Sequence, residues 1–332
     1  MFHPHLTGHG IIVLAMVNGA VACLPKDTRP PPASVFVTTS SDDAVRQGFD
    51  TDDGWHINFN RFVVSIGRSS FDGDACNSYS DAGYMRVLDL QQPEPQKVSL
   101  IYGLGQCDFG FRIANPQTDS LLGEGVSPAD ELYMQTAGND NYTAARGIAG
   151  VGASTGINAI INGIATGPGE QKTFSWSFRQ NLEYTKCFVE ADAGIDEGLN
   201  LNGSASDPVN ILVRGETLFQ TNVTLTGTSL RFGPMALADS QYGNNDGSVT
   251  IDELGLVPIH VLAADGSTIG GLAPPSGSAG DYVGGDSSVF DGSGVTAMNN
   301  LEAFVYSVAF PMMFHYRDTG QCVTAIAPTR GR

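Results

Sequence analysis

A run of residues in the C-terminal third of the chain carries side-chain oxygens at alternating positions around a glycine. It reads Asn244-Asn245-Asp246-Gly247-Ser248-Val249-Thr250-Ile251-Asp252-Glu253-Leu254. Carboxylate, amide and hydroxyl oxygens are hard donors, and Ca²⁺ takes about six to eight such oxygens at flexible angles. The pattern therefore predicts that a hard divalent cation binds in a tight turn.

The spacing resembles the calcium loop of EF-hand and dockerin-like modules. When the loop is numbered from its glycine, Gly247 takes the sixth place and Val249 the apolar eighth. Glu253 then takes the twelfth place, where a bidentate carboxylate closes the site. The other ligands that the resemblance implies are oxygens of Asn244, Asp246, Ser248 and Thr250. A single loop of this kind implies a structural Ca²⁺ and no particular reaction.

The first ligand place of that loop holds Tyr242, which has no carboxylate. Asp239 lies three residues earlier, and it reaches the site if Ser240-Gln241-Tyr242 forms an inserted bend. Two alternatives stay open. The loop either lacks its first ligand and binds Ca²⁺ weakly, or it is an Asn-Asp-Gly turn that needs no metal.

The N-terminal segment has the pattern of an export signal. Residues 11–22 are almost wholly apolar and end in small side chains, and this run is too short to span a bilayer. Ala20-Val21-Ala22-Cys23 resembles a bacterial lipobox, although Ala20 stands where that family prefers Leu. The resemblance implies a signal peptide over 1–22 and a lipid on Cys23 that holds the protein at the cell envelope. The alternative is cleavage by ordinary signal peptidase, which gives a soluble secreted protein.

Four further cysteines form an even set in a chain with an export signal. Because the compartments outside the cytosol are oxidising, Cys76, Cys107, Cys187 and Cys322 predict two disulfides. Four cysteines allow three pairings. We favour Cys76 with Cys107 and Cys187 with Cys322. This arrangement combines one bond between cysteines that are close in the sequence with a second bond between cysteines that are far apart in it. A cysteine-ligated metal is disfavoured, since the chain has no C-x-x-C spacing.

The composition is typical of a turn-rich β protein. The chain has 332 residues, of which 41% are hydrophobic, only 16% are charged and 41 are glycine. Short apolar or alternating runs bounded by Gly, Pro, Asn or Asp predict strands over 84–90, 98–102, 107–113, 157–164, 173–178, 184–189 and 209–213. We expect a mainly β fold, an antiparallel β-sandwich with an EF-hand-like loop and one C-terminal helix.

One strand is predicted to contain an irregularity. Trp55, Ile57 and Phe59 alternate with polar neighbours, and the apolar positions that follow change phase at residues 62, 64 and 66. A change of phase within one strand requires an extra residue, so we expect a bulge or bend near Asn60-Arg61.

Composition also divides the chain into regions. A proline-rich tether over 23–34 precedes a β-sandwich domain over 35–195 and a C-terminal β region over 196–332. The C-terminal region contains the calcium loop 239–253, a surface loop rich in Gly, Ser and Asp over 264–294, and a helix over 299–310. Asn299 and Glu302 have the spacing of a capping box for that helix.

Charge and three weaker patterns limit the functions to be considered. The net charge of -18 disfavours nucleic acid as a partner and suits a cation.

A serine hydrolase is suggested only by Gly152-Ala153-Ser154-Thr155-Gly156, whose flanks lack the strand and helix that this motif needs. A copper site would use His56, His260 and His315, with Met312 or Met313 and with Trp55. A sugar-binding face would use Tyr79, Tyr84, Tyr102 and Trp176, although aromatic residues at alternating strand positions more often belong to a core.

Taken together, these patterns predict an exported, lipid-anchored protein without catalytic activity, in which Ca²⁺ stabilises the fold. The alternative is a module that binds an envelope glycan or another envelope ligand.

Overall fold

The computed structural model describes residues 30–136, 156–191, 194–203, 206–221, 229–258, 260–262, 268–269, 281–283 and 300–327. The predicted signal peptide 1–22, Cys23 and Ser154 lie outside these residues. From Pro31 onward the described residues form one compact unit.

The described strands and helices follow the chain in this order. The strands are β1 Ala33–Ser41, β2 Phe49–Asp50, β3 His56–Asp72, β4 Cys76–Ser80, β5 Met85–Asp89, β6 Gln96–Ile113, β7 Leu121–Leu122, β8 Ala159–Gly167, β9 Glu170–Phe178, β10 Leu182–Ala191, β11 Gly194–Glu197, β12 Leu199–Leu201, β13 Val209–Val213, β14 Ser248–Thr250, β15 His260–Leu262, β16 Thr268–Ile269, β17 Asp281–Val283, β18 Phe314–Tyr316 and β19 Gln321–Ile326. The helices are α1 Asp43–Gln47, α2 Pro128–Thr136, α3 Gly233–Leu237, α4 Ile251–Leu254, α5 Leu301–Phe304 and α6 Phe310–Met312, with a 3₁₀ turn Gly215–Phe219 and π-helical turns Ala238–Tyr242 and Val305–Ala309.

Two long strands, β3 and β6, organise the sheet because each changes partners along its length. β3 pairs with β8 in its first half and with β6 at its end, while β6 pairs with β1, β4 and β12 before it reaches β3 and β10. The main path of the sheet runs β14-β9-β8-β3-β6-β1-β13-β18. Most pairs are antiparallel, whereas β1–β13, β5–β7 and β14–β9 are parallel. The prediction of a mainly β fold is confirmed, and the sheet is curled and mixed.

The predicted irregularity lies inside β3. The register against β8 shifts between Phe59 and Arg61, so the prediction of a bulge at this point is confirmed. Ile57 and Phe59 before the bulge and Phe62 and Val64 after it are all buried. The extra residue thus keeps the apolar side chains on the core side through the change of phase.

Two predicted strands turn out to be one. The runs 98–102 and 107–113 both belong to β6, which continues through the glycine-rich stretch between them. Gly105 has a φ of 99°, and a Cβ on it would collide with the backbone carbonyl of Ala75, directly before β4. Glycine therefore allows a local bend and a close strand approach here without ending the strand.

The cysteine prediction is confirmed. Cys76 is bonded to Cys107, which joins β4 to β6, and Cys187 is bonded to Cys322, which joins β10 to β19. The second bond spans 135 residues and attaches the last described strand to the sheet.

The C-terminal helix is present and begins one residue later than its predicted cap. Asn300 is the N-cap, and its side chain accepts a hydrogen bond from the Ala303 N–H at 2.8 Å. The helical segment continues as α5, the π-helical turn and α6 beyond Pro311. Proline is tolerated there because it lies in the first turn of α6, where its missing N–H is not required. Within the predicted surface loop 264–294, β16 and β17 form a small sheet with β15, and the rest lies outside the described residues.

No helix in the described part of the chain combines the length and the apolar character needed to cross a bilayer.

Candidate cation site in the loop 239–253

The loop is held against the sheet by the short strand β14. β14 pairs in parallel with β9, so that Val249 lies opposite Phe174, and both side chains are buried. The Thr173 N–H donates to the Gly247 carbonyl at 2.8 Å, and the buried Trp176 indole donates to the Val249 carbonyl at 3.1 Å. Val249, the apolar eighth residue of the loop, therefore pairs with a strand of the protein's own sheet.

Asp239 is the first residue of the loop, and its side chain is fully buried. Its Oδ1 accepts the Asp246 N–H at 2.9 Å, and its Oδ2 accepts the Gly247 N–H at 3.1 Å. Asp239 lies three residues before the first ligand place, and this offset falls within the π-helical turn Ala238–Tyr242. The Asp239 carbonyl also accepts the Asn245 N–H at 3.0 Å, so the chain returns to Asp239 despite the insertion.

A lysine from the neighbouring strand supplies a positive charge to this carboxylate. Lys172 Nζ lies 2.7 Å from Asp239 Oδ2, and the side chain of Lys172 is only 5% exposed. The same ammonium lies 3.3 Å from Glu170 Oε2, whose side chain is about half-exposed. The hydrogen bond to Asp239 raises the pKa of Lys172 above its ordinary value, so the lysine is charged at neutral pH.

Glu253 is buried and faces the start of the loop. Its Oε2 accepts the N–H and the hydroxyl of Thr250, each at 2.9 Å, and its Oε1 accepts the Asn244 N–H at 3.3 Å. Thr250 and Glu253 form a capping box at the start of α4. Gly243 packs against the Glu253 carboxylate, where a Cβ would collide with it. In this arrangement Glu253 organises the loop through backbone donors.

The remaining predicted ligands lie on the exposed side of the turn. Asn244 Oδ1 accepts the Asp246 N–H at 3.0 Å, and its amide donates to Asp246 Oδ2 at 3.0 Å. Asp246 Oδ1 accepts the Ser248 N–H at 2.8 Å. These bonds close the tight turn around Gly247, whose φ of 85° suits glycine.

The donor set fits a hard cation in its chemistry, because the predicted ligands offer oxygen only. A cation already contacts Asp239 in the form of the Lys172 ammonium. Elsewhere in the described residues, and in this loop, no three His, Cys, Asp or Glu side chains converge as a metal site. The loop therefore combines the ligand types of a calcium site with internal hydrogen bonds and a lysine as the counter-charge.

Sequence reasoning missed Lys172 and the capping box of Glu253. Thr250 and Glu253 have the spacing T-x-x-E, which predicts such a box at a helix start. Lys172 shares its face of β9 with Phe174 and Trp176, since residues two apart on a strand point the same way. A lysine on a buried strand face requires a buried partner. The position of Lys172 in the sequence therefore already predicts such a partner.

The predicted aromatic face is only partly exposed. Tyr79 is 52% exposed and Tyr102 is 37% exposed, whereas Tyr84 is half-buried. Trp176 is buried against Phe174 and donates to the loop, so its place in a sugar-binding face was wrong. Phe36, an aromatic residue that the sequence analysis did not single out, is 49% exposed and lies on β1, the strand next to Tyr102.

The predicted copper ligands lie on separate strands. His56 on β3 places its Nδ1 2.7 Å from Asp50 Oδ1, while His315 on β18 lies opposite Leu212. The side chain of His260 is outside the described residues. Burial, assisted by the charge of Arg214, lowers the pKa of His315 to about 4.

Comparison of the chain with protein-family models, with curated proteins and with solved structures gives no match.

We predict that His315 makes the folded protein sensitive to mild acid. The unfolded chain takes up a proton near the ordinary histidine pKa of 6.5, but the buried ring stays neutral until about pH 4. Stability from this residue is thus complete above pH 6.5 and falls as the pH decreases towards 4, by about 2 kcal/mol between pH 7 and pH 5. His315→Met should remove this part of the pH dependence, as measured by urea unfolding at both pH values. The control is His56→Gln at a half-exposed ring, and an unchanged pH dependence in His315→Met would contradict the prediction.

Proposed function

We propose that this chain is a non-catalytic exported protein, held at the cell envelope by a lipid on Cys23, in which one structural Ca²⁺ stabilises the loop 239–253. Its role in that compartment is to present a rigid, acidic β body on a stiff tether. The proposal joins the address that the N-terminal segment predicts with the chemistry of the one loop that suits a cation.

Export is supported by the two disulfides. Disulfides persist in oxidising compartments and are rare in the cytosol, and here two pairs of cysteines, Cys76 with Cys107 and Cys187 with Cys322, are bonded. All four cysteines after Cys23 are used in these bonds. Cys23 is thus the one cysteine left for another purpose, which agrees with its place after an apolar run and small residues.

The calcium part of the proposal depends on the position of Asp239. A carboxylate at the first place normally anchors such a loop, and Tyr242 cannot provide it. Asp239 accepts the N–H of Gly247, the sixth residue, and so reaches the loop from outside the usual numbering. With Asp239 included, the residues whose oxygens would hold Ca²⁺ are Asp239, Asn244, Asp246, Ser248, Thr250 and Glu253, three of which carry carboxylates.

The first prediction from this proposal concerns Cys23. Protein extracted from membranes should have Cys23 as its N-terminal residue and should carry the added mass of lipid, which intact-mass measurement reports directly. Cys23→Ser should move the protein to the soluble fraction without changing its melting temperature, because Cys23 precedes the compact unit that begins at Pro31. An unmodified mature chain in the soluble fraction of the wild type would reject lipid anchoring.

The second prediction concerns Ca²⁺. A ligand that binds only the folded state stabilises it by mass action, so Ca²⁺ at 100 times its dissociation constant should add about 2.7 kcal/mol. Thermal unfolding in EGTA and in millimolar Ca²⁺ measures this difference. Glu253→Gln should reduce the response strongly, while Thr250→Ala should reduce it less, because a ninth-place side chain often acts through water.

The matched control is Asp252→Asn, which removes an adjacent acidic charge that is exposed and lies outside the ligand places. It should keep the wild-type response to Ca²⁺. If the wild-type curves with EGTA and with Ca²⁺ coincide and calorimetry detects no binding, the structural role of Ca²⁺ is rejected and the loop is a turn braced by its own hydrogen bonds.

A second candidate function, binding of an envelope glycan, is favoured by the exposed aromatic side chains on one part of the sheet. Tyr102 on β6 lies opposite Ser34, and Phe36 lies opposite Leu100 in the same pair of strands. Phe36 and Tyr102 are therefore diagonal neighbours on one face. Aromatic rings exposed side by side are a common platform for sugar rings, and single exposed apolar residues are not.

We predict that soluble peptidoglycan fragments, used as the probe in calorimetry, bind the wild type and lose binding in Tyr102→Ala. The control is Tyr133→Ala, which truncates a similarly exposed tyrosine on α2. Equal binding by both variants, or none by the wild type, would exclude this face as a glycan site.

A further inference from the structure

The Lys172 ammonium supplies the positive charge that the buried carboxylate of Asp239 requires. It contacts Asp239 Oδ2 at 2.7 Å, and Asp239 is fully buried. Strand β9 positions the lysine independently of the loop, because the register of β9 is set by its nine paired residues along β8. Lys172 is thus delivered to the carboxylate by the sheet.

If the ammonium and a divalent cation both contact this carboxylate, the binding free energy of the cation becomes less favourable. Two positive ions a few ångströms apart in a buried site repel each other strongly, since little water is present to screen them. An Asp239 oxygen engaged by Lys172 is also unavailable as a metal ligand. Binding of Ca²⁺ at Asp239 therefore requires the lysine to give up this contact.

A second acceptor for the lysine lies within reach. Glu170 Oε2 is 3.3 Å from Lys172 Nζ, and the Glu170 side chain is about half-exposed at the turn between β8 and β9. The ammonium needs only a small movement to leave Asp239 and remain paired with Glu170. The displaced ammonium then lies at the surface, where water solvates it and its desolvation penalty is small.

We propose that Lys172 is a tethered cation that occupies the carboxylate of Asp239 in the absence of Ca²⁺ and competes with Ca²⁺ for it, with Glu170 receiving the displaced ammonium. This inference rests on the proposed structural Ca²⁺ and assigns its regulation. The lysine keeps the loop folded without the metal, and it sets the Ca²⁺ concentration at which the loop is filled.

The test compares the full mature chain with Lys172→Met, a variant of similar side-chain length without the charge. In EGTA, Lys172→Met should melt at a lower temperature than the wild type, because Asp239 loses its counter-charge. On titration with CaCl₂, the variant should recover its melting temperature, and its dissociation constant for Ca²⁺ measured by calorimetry should be lower by about tenfold or more. Lys97→Met, at an exposed lysine on β6, removes the same charge away from the loop and should match the wild type in both measurements.

Two further variants keep the test decisive if Lys172→Met does not fold. Lys172→Gln retains a hydrogen-bond donor to Asp239 without the charge and should also bind Ca²⁺ more tightly than the wild type. Glu170→Gln removes the negative charge that would receive the displaced ammonium and should shift Ca²⁺ binding in the opposite direction, to a higher dissociation constant. A lysine that serves only packing would give no such pair of opposite shifts.

The outcomes separate this inference from the proposed function. If the wild type binds Ca²⁺ and neither Lys172 variant binds it more tightly, the competition is refuted and the structural Ca²⁺ stands. If the wild type shows no binding at millimolar Ca²⁺ and Lys172→Met or Lys172→Gln does, the lysine is the resident cation, and the proposed structural Ca²⁺ is refuted. If no variant binds Ca²⁺, both are refuted.

Discussion

A buried carboxylate needs hydrogen-bond donors and a positive charge, because water does not reach it. Asp239 is such a group, and the C-terminal part of the fold depends on how it is satisfied. It accepts backbone N–H groups from Asp246 and Gly247 and the ammonium of Lys172. Through these bonds one side chain joins the turn of the loop, the π-helical turn that carries Asp239 and strand β9 of the sheet. This ionic centre therefore joins the pairing of β14 with β9 in fixing the residues between α3 and α4 to the β body.

The loop is also part of the hydrophobic core. Val249 is buried opposite Phe174, and Trp176 donates its indole N–H to the Val249 carbonyl while its ring packs 5.6 Å from Phe219. Phe219 in turn lies 6.0 Å from Phe232, directly before α3. Aromatic packing of this kind places the entry and the exit of the loop on a rigid support. A cation bound there would act on the stability of the whole sheet edge, which agrees with a structural role.

The two disulfides and the ionic centre of the loop stabilise different parts of the chain by different means. The Cys187–Cys322 bond constrains the unfolded chain over 135 residues of sequence. Its effect on stability therefore does not depend on which ions are in solution. The loop depends instead on the charge that contacts Asp239, which is the Lys172 ammonium. In the role proposed for this chain, a lysine that takes the place of the metal would keep the loop folded when Ca²⁺ is scarce.

The sequence by itself determined what depends on neighbours along the chain. Alternation of apolar residues identified the strands and the bulge beside Arg61, helical spacing after Asn300 identified the C-terminal helix, and the spacing around Gly247 identified the tight turn. Only the tertiary structure decided that Lys172 reaches Asp239, 67 residues away, since this contact depends on the register of β9 and β14. It also decided that β6 passes unbroken through its glycines and that Trp176 is buried. Local patterns reflect backbone geometry and burial of one face, whereas the partner of a buried charge is fixed by strand pairings that bring distant segments together.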